Sequence, residues 1–234
     1  MTELSFLKYK NHPLTERIIF VTATKGSGTA LLRDRPIGFF LEKSGWGDKT
    51  KIVEKNTEGL CQVYNRFLTE EYKDKYVIFI HDDVLINDLF FEEKVLLAFE
   101  KFDIIGLAGA KSCDLSSEHP AWHTMTKRED MVGEVAHSKD GKVWTTVFGP
   151  TDSRSLVLDG LFIGVNVNAA LEKGLTFDER FNFHHYDITF SLRANEKKIK
   201  SGVFPLSVIH FGLGDSMNTD GWKESAKKFK EFYK

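Results

Sequence analysis

"YVIFIHDDVLIND", residues Tyr76 to Asp88, decides how the chain is read, because β-prone apolar residues run straight into a histidine and two aspartates. A short run of this kind predicts a strand over Tyr76 to Ile80 that is buried on both faces. If strand alternation continues through Asp83, His81 and Asp83 project to one side and Asp82 to the other. An imidazole and a carboxylate then meet beyond the carboxyl end of a sheet strand, where open α/β sheets bind ligands. Two such donors are too few for a closed structural metal site, but they suit Mn²⁺ or Mg²⁺ completed by water and phosphate oxygens. The same aspartates can instead cap the turn into the next segment. The motif taken alone leaves both roles open.

Outward from this stretch, "RIIFVTAT" (residues 17–24), "IGFFLEKS" (37–44) and a short "KIVEK" (51–55) predict strands before it, and "DIIGLAGA" (103–110) one after it. Between them, Leu60, Val63, Tyr64, Phe67 and Leu68 lie on one helical face, and so do Phe91, Val95, Leu96, Ala98, Phe99 and Phe102, with Asn87 and Asp88 as cap-type residues. Strand and helix alternating in this way predict an α/β fold with a mostly parallel central sheet covered by helices, Rossmann-like in plan. Residues 111–150 are polar, carry Trp122 and Trp144, and hold "SKDG" as a turn. They form an excursion of short strands or loops. Order returns with a strand in "SLVLDGLFIGVN" (155–166), helices near "AALEKG" and "YDITFSLRANEKK", and a last strand in "GVFPLSVIH" (202–210). No repeat or low-complexity linker divides the chain, so a single domain over residues 1–234 is expected, with residues 215–234 as a C-terminal amphipathic helix.

At 234 residues and 41% apolar composition the chain can bury a large core. A formal charge of −2 offers no broad basic surface for a nucleic acid. Two distant cysteines, Cys61 and Cys113, without metal-ligand spacing fit reduced thiols. The opening "MTELSFLKYKNHPLTER" has no signal-peptide core, and no stretch reaches about 18 consecutive apolar residues. A cytoplasmic protein is expected. The tail sets Trp222, Ala226, Phe229 and Tyr233 at helical spacing among lysines, which suits packing on its own domain more than peripheral contact with an anionic membrane.

In order, "IFIHDDVLI", "IIGLAGA", "LDGLFIGVN", "FDERFNFHHYDITFSLRA" and "SVIHFGLG" make the chain resemble a nucleotide-sugar glycosyltransferase of the GT-A fold, of the family-2-like bacterial type. The resemblance spans roughly Arg17 to Gly214. It implies hexosyl transfer from a nucleotide diphosphate donor to a carbohydrate or glycoconjugate hydroxyl, with inversion, Mn²⁺ or Mg²⁺, and a setting in polysaccharide synthesis. The family's D-x-D motif is "HDD" here, with Asp83 at the metal-binding position and His81 at the first aspartate position. His81 and Asp82 are then expected at the nucleotide sugar, and His210, which ends "SVIH", at the metal or diphosphate. The family's base is the aspartate of a Glu-Asp pair, matched here by Tyr186 and Asp187, so the pair's glutamate is absent. Asp187 is the expected base or else a helix N-cap. Asp159 in "LDG" is expected beside the acceptor, and Thr22 and Glu42, read as strand ends, at the nucleoside. "TKGSGT" (24–29) lacks the full phosphate-loop pattern and reads as a loop. The adjacent His184 and His185 diverge if the chain is extended there and are then not expected to chelate one ion together. A nucleotidyltransferase, or a binding module that kept the fold without turnover, are the alternatives.

Overall fold

The computed structural model describes residues 13–212 and 215–233. The opening stretch through residue 12, Gly214 and Lys234, all part of the expectations above, lie outside the described residues.

The main sheet is built on β1 (Ile18–Ala23) and β3 (Tyr76–Ile80), the two most continuous apolar runs, which pair in parallel. β2 (Thr50–Val53) is parallel to β1 on its other side. β11 (Phe162–Asn166) is antiparallel to both β3 and β5 (Ile104–Gly106), and β12 (Ser201–Val203) is parallel to β5. β9 (Ser153–Arg154) closes the edge antiparallel to β12. β2, β1, β3, β5 and β12 therefore point one way and only β11 and β9 the other, so the central sheet is mostly parallel.

Register shows how helices cover both faces. Phe20 lies beside Ile78, and Val21 beside Phe79, so Phe20 and Phe79 project to opposite faces. Phe20 packs against Phe40 of α2 (Pro36–Ser44), which follows the short α1 (Gly28–Asp34), and against Trp46 and Phe91 of α4 (Phe91–Phe99). Phe79 packs against Tyr64 of α3 (Leu60–Asn65) and Phe177, which stacks on Phe190 of α6 (Tyr186–Glu196). Each fully buried ring contributes roughly 1.5–3 kcal/mol relative to exposure.

"IGFFLEKS" is helix α2 and not a strand. Pro36 sits in its first turn and Gly45 closes it at φ 73, a left-handed end that the glycine takes without strain. "DIIGLAGA" also departs from one strand. β5 ends at Gly106, and after Leu107 the chain enters a second sheet as β6 (Ala108–Ala110). Close approach dictates the small residues there, since a Cβ on Gly109 would lie 2.1 Å from the Val157 carbonyl oxygen. Nor does helix α4 take Asn87 or Asp88 as its cap: Phe90 holds that position, and Asp88 accepts from the Phe90 and Ser207 amides and pairs with Lys94.

The second sheet runs β10 (Val157–Leu158), β6, β7 (Met131–Lys139), β13 (Val208–His210), β4 (Val84–Ile86), with β8 (Lys142–Val147) on β7. The 111–150 excursion thus runs through turns to residue 130 and then forms a long hairpin over 131–147, turning at Asp140 and Gly141, both at positive φ. α5 (Val167–Glu172) follows β11, and α7 (Asp220–Tyr233) is preceded by a 3-10 turn at Asp215–Asn218, so the terminal helix is shorter than residues 215–234. α7 buries Trp222, Ala226 and Phe229 against the body of the protein. No helix among the described residues is long and apolar enough to cross a membrane.

Candidate functional site

β3 ends at Ile80, and residues 81–84 form a turn closed by the Val84 amide on the His81 carbonyl. Alternation along an extended strand therefore does not apply to "HDD"; the turn itself brings His81 and Asp83 to one point. The second sheet supplies the third member. β13 lies between β7 and β4 with His210 paired to His137 and to Val84, and the Phe211 amide donates to the Asp83 carbonyl at 2.9 Å. One ligand atom each from His81, Asp83 and His210 then lies within 4.8 Å of the others.

Several observations fit this cluster to a cation. Asp83 Oδ2 is 3.5 Å from His210 Nε2, while Asp83 Oδ1 is buried without a hydrogen-bond partner among the described residues. An orphaned carboxylate oxygen in such a place is costly unless something positive meets it. Gly212 crosses directly over the pair, and a Cβ there would lie 2.4 Å from His210 Nε2 and 2.6 Å from Asp83 Oδ2. The Tyr186 hydroxyl donates to the Gly160 carbonyl at 2.7 Å, so at its 2.8 Å contact with His81 Nε2 it accepts the imidazole proton. His81 Nδ1 thereby keeps a free lone pair. Two imidazole nitrogens and one carboxylate oxygen form a donor set that suits Mn²⁺ better than Mg²⁺, which prefers oxygen.

The charges agree with this geometry. Burial lowers the His81 pKa against the pull of Asp83 and Asp159, keeping the ring neutral. At His210 burial pushes down, but the hydrogen bond to Asp83 and the charges of Asp83 and Asp159 together outweigh it and raise the pKa. Asp83 mirrors this: burial would raise its pKa, while His210, His81 and Arg35 hold it below the usual carboxylate value. Metal binding at His210 would compete with a proton there.

Two cavities meet at the cluster. The larger, about 790 Å³, is lined by Thr24, Lys25, Arg35, Asn56, His81 and Asp83 among others, a size suited to a small-molecule ligand. Asp82 lines it too and pairs with Arg35 at 2.6 Å. The smaller cavity, about 390 Å³, is lined by Asp159, His210 and the β7–β8 hairpin.

Asp187 is the second residue of α6, and the cap is His185, so the N-cap role considered for Asp187 does not hold. Its Oδ1 accepts from the Ile188 amide and its Oδ2 from the Gly160 amide, both at 2.9 Å. Burial, reinforced by Asp159, pushes its pKa up to about 7. Asp159 accepts from Trp122 Nε1 at 2.7 Å and from the Leu161 amide at 3.0 Å, the latter a local turn bond. The Gly160 peptide accordingly ties both groups together: its carbonyl holds Tyr186 against His81, and its amide holds Asp187.

Thr22 is fully buried in β1 outside both cavities, and its neighbours Ala23 and Thr24 line the larger one instead. Glu42 lies on the exposed face of α2, away from both, because its segment is helical. The "TKGSGT" loop walls the larger cavity with Thr24, Lys25 and Gly26. His185 donates from Nδ1 to Ser225 Oγ at 2.8 Å on α7. Lys25 lies in the "TKGSGT" stretch, whose incomplete pattern did not mark it as a ligand site; Arg35 and Asn56 had no motif, and only the Pro36 after Arg35 hinted at a helix start there.

Residues 48–233 match the sequence family described as "Glycosyltransferase like family". No curated protein matches the chain in sequence. Among solved structures, A197 from STIV is similar with a TM-score of 0.50 at 17% identity, over 84% of this chain and 86% of that one. S. aureus TarS 1-349, crystallised in complex with UDP, is similar with a TM-score of 0.50 at 14% identity, over 97% of this chain and 64% of that one. At these identities the likeness concerns the fold, which is GT-A-like.

Proposed function

The chain belongs to this glycosyltransferase-like family, and from that premise we propose that it transfers a hexosyl group from a nucleoside diphosphate sugar, most simply a UDP-sugar, to a carbohydrate hydroxyl. The meeting of two cavities at the His81–Asp83–His210 cluster carries this reading. A donor occupies the larger cavity, with its diphosphate near Lys25, Arg35 and the cluster and its nucleoside toward Thr24 and Asn56, in place of Thr22 and Glu42. The UDP in the TarS structure supports the choice of base.

The mechanism we assign is a single displacement with inversion. The acceptor oxygen bonds to the anomeric carbon while the bond from that carbon to the diphosphate oxygen breaks, and its electron pair leaves with the diphosphate. Asp187 takes the acceptor's proton; a carboxylate pushed up to about 7 is well matched to that task near neutral pH. Asp159, in the smaller cavity, orients the acceptor hydroxyl. Asp83, His81 and His210 would hold Mn²⁺, which supplies positive charge opposite the departing diphosphate. A cytoplasmic setting belongs to the same proposal, supported by the free thiols of Cys61 and Cys113.

Incubation with UDP-glucose, UDP-galactose and UDP-N-acetylglucosamine, with Mn²⁺ and a mixture of glycan acceptors, should release UDP. Release of pyrophosphate from UTP and a sugar phosphate would instead make it a nucleotidyltransferase. Binding of UDP with neither reaction would leave a binding module.

A further inference from the structure

The β7–β8 hairpin comes from the polar segment that no motif explained, yet one of its faces is built for a ligand. Val135, His137 and Lys139 of β7 and Trp144 and Thr146 of β8 all line the smaller cavity, as the strand period of two requires. Register sets His137 opposite Trp144 and Val135 opposite Thr146. Val143 and Val147 alternate to the other face. Parallel pairing of His137 with His210 attaches this wall directly to the cluster, and Asp159 stands across the cavity from it as another lining residue.

Trp144 is the unusual member. Its indole stacks on the His137 imidazole, with ring centres 5.6 Å apart and planes 26° apart, yet the residue remains 47% exposed. One ring face is thus backed and held, and the indole keeps broad apolar surface toward a wet, polar cavity. A pyranose matches this arrangement. The C–H groups on one face of the ring are apolar and lie flat on an indole, while its hydroxyls reach hydrogen-bonding groups such as Thr146, His137 and Asp159 at the edges. A flat apolar ligand would leave those polar groups unpaired, and a simple ion would leave the indole uncovered.

We propose that the hairpin wall is the acceptor subsite and that Trp144 is the stacking platform for the acceptor's sugar ring, making it a specificity-determining residue. The inference rests on the glycosyltransferase reading, but it is tested without turnover. Saturation-transfer NMR with methyl glycosides of glucose, galactose, mannose, N-acetylglucosamine and rhamnose should show at least one binder. Trp144→Ala should weaken that binder about 10-fold, the equivalent of one aromatic stacking contact, and Trp144→Phe should restore part of the loss. Circular dichroism checks the fold, and the thermal shift given by UDP with Mn²⁺ checks the donor cleft. Binding by none of the glycosides, or binding unchanged in Trp144→Ala, overturns the proposal. If UDP and Mn²⁺ give no shift while Trp144-dependent glycoside binding persists, the transferase reading fails and the subsite stands.

Discussion

Asp187, the proposed base, is a carboxyl group whose surroundings resist its charge. Burial and Asp159 push it up to about 7, while two backbone amides hold its oxygens in place. If it is the base, transfer should fall as pH is lowered through about 7, and Asp187→Asn should reduce the rate by a factor on the order of 10²–10⁴ while UDP binding persists. Stability offers an independent check. A raised folded-state pKa contributes stability that is present below the ordinary value of 3.8 and lost as pH rises through about 7. The difference in melting temperature between the parent protein and Asp187→Asn should therefore shift against the parent across that window. Near-normal transfer by a folded Asp187→Asn protein would move the base to Asp159. Asp83 was legible in the sequence as a candidate metal ligand and Asp187 as a candidate base, because both sit in blocks whose order resembles a family's. Trp144, His137, Lys25 and Arg35 were not, since they are brought to the site by hairpin register and helix placement and carry no local spacing signal.

At the scale of elements, α7 is held on the loop that leads into α6 by more than its apolar stripe. His185, at φ 64, caps α6 and donates to Ser225, while Tyr233 donates to Asp178 at 2.8 Å and Lys228 to the Arg180 carbonyl at 2.9 Å. Burial lowers the His185 pKa to about 4. A depressed histidine contributes stability that is present above its ordinary value of 6.5 and lost as pH falls toward about 4. His185→Asn keeps a residue that tolerates left-handed backbone and removes the titration. Relative to that variant, the parent should lose on the order of 3 kcal/mol between pH 7 and pH 4, measured by urea denaturation. Equal slopes for the two proteins would show that His185 does not carry the acid sensitivity. The amphipathic stripe of α7 was readable from spacing alone; its polar anchors were not. The opposite happened at α2, where Ile37, Phe39, Phe40 and Leu41 read as a strand by β propensity, and tertiary packing together with Pro36 and Gly45 decided for helix.

In the whole molecule, two sheets share a seam, and the seam is the site. β3 of the main sheet delivers His81 and Asp83, β13 of the second sheet delivers His210, and the β7–β8 hairpin walls the smaller cavity. The alternation of strands and helices foretold the main sheet, because buried parallel strands announce themselves as apolar runs. The second sheet is made of two- and three-residue strands and a polar hairpin, too short or too mixed to show a period. The seam itself depends on pairings between residues more than a hundred positions apart, such as Val84 with His210. The proposed transfer requires that this seam act as a cation-dependent diphosphate site. Isothermal titration of UDP into the protein, with Mn²⁺ and with excess chelator, and repeated on Asp83→Ala, tests it most directly. UDP should bind at least about 10-fold more tightly with Mn²⁺ than without, and Asp83→Ala should abolish that difference. Equal affinity in chelator and in Mn²⁺, or a manganese effect that survives in Asp83→Ala, would contradict it.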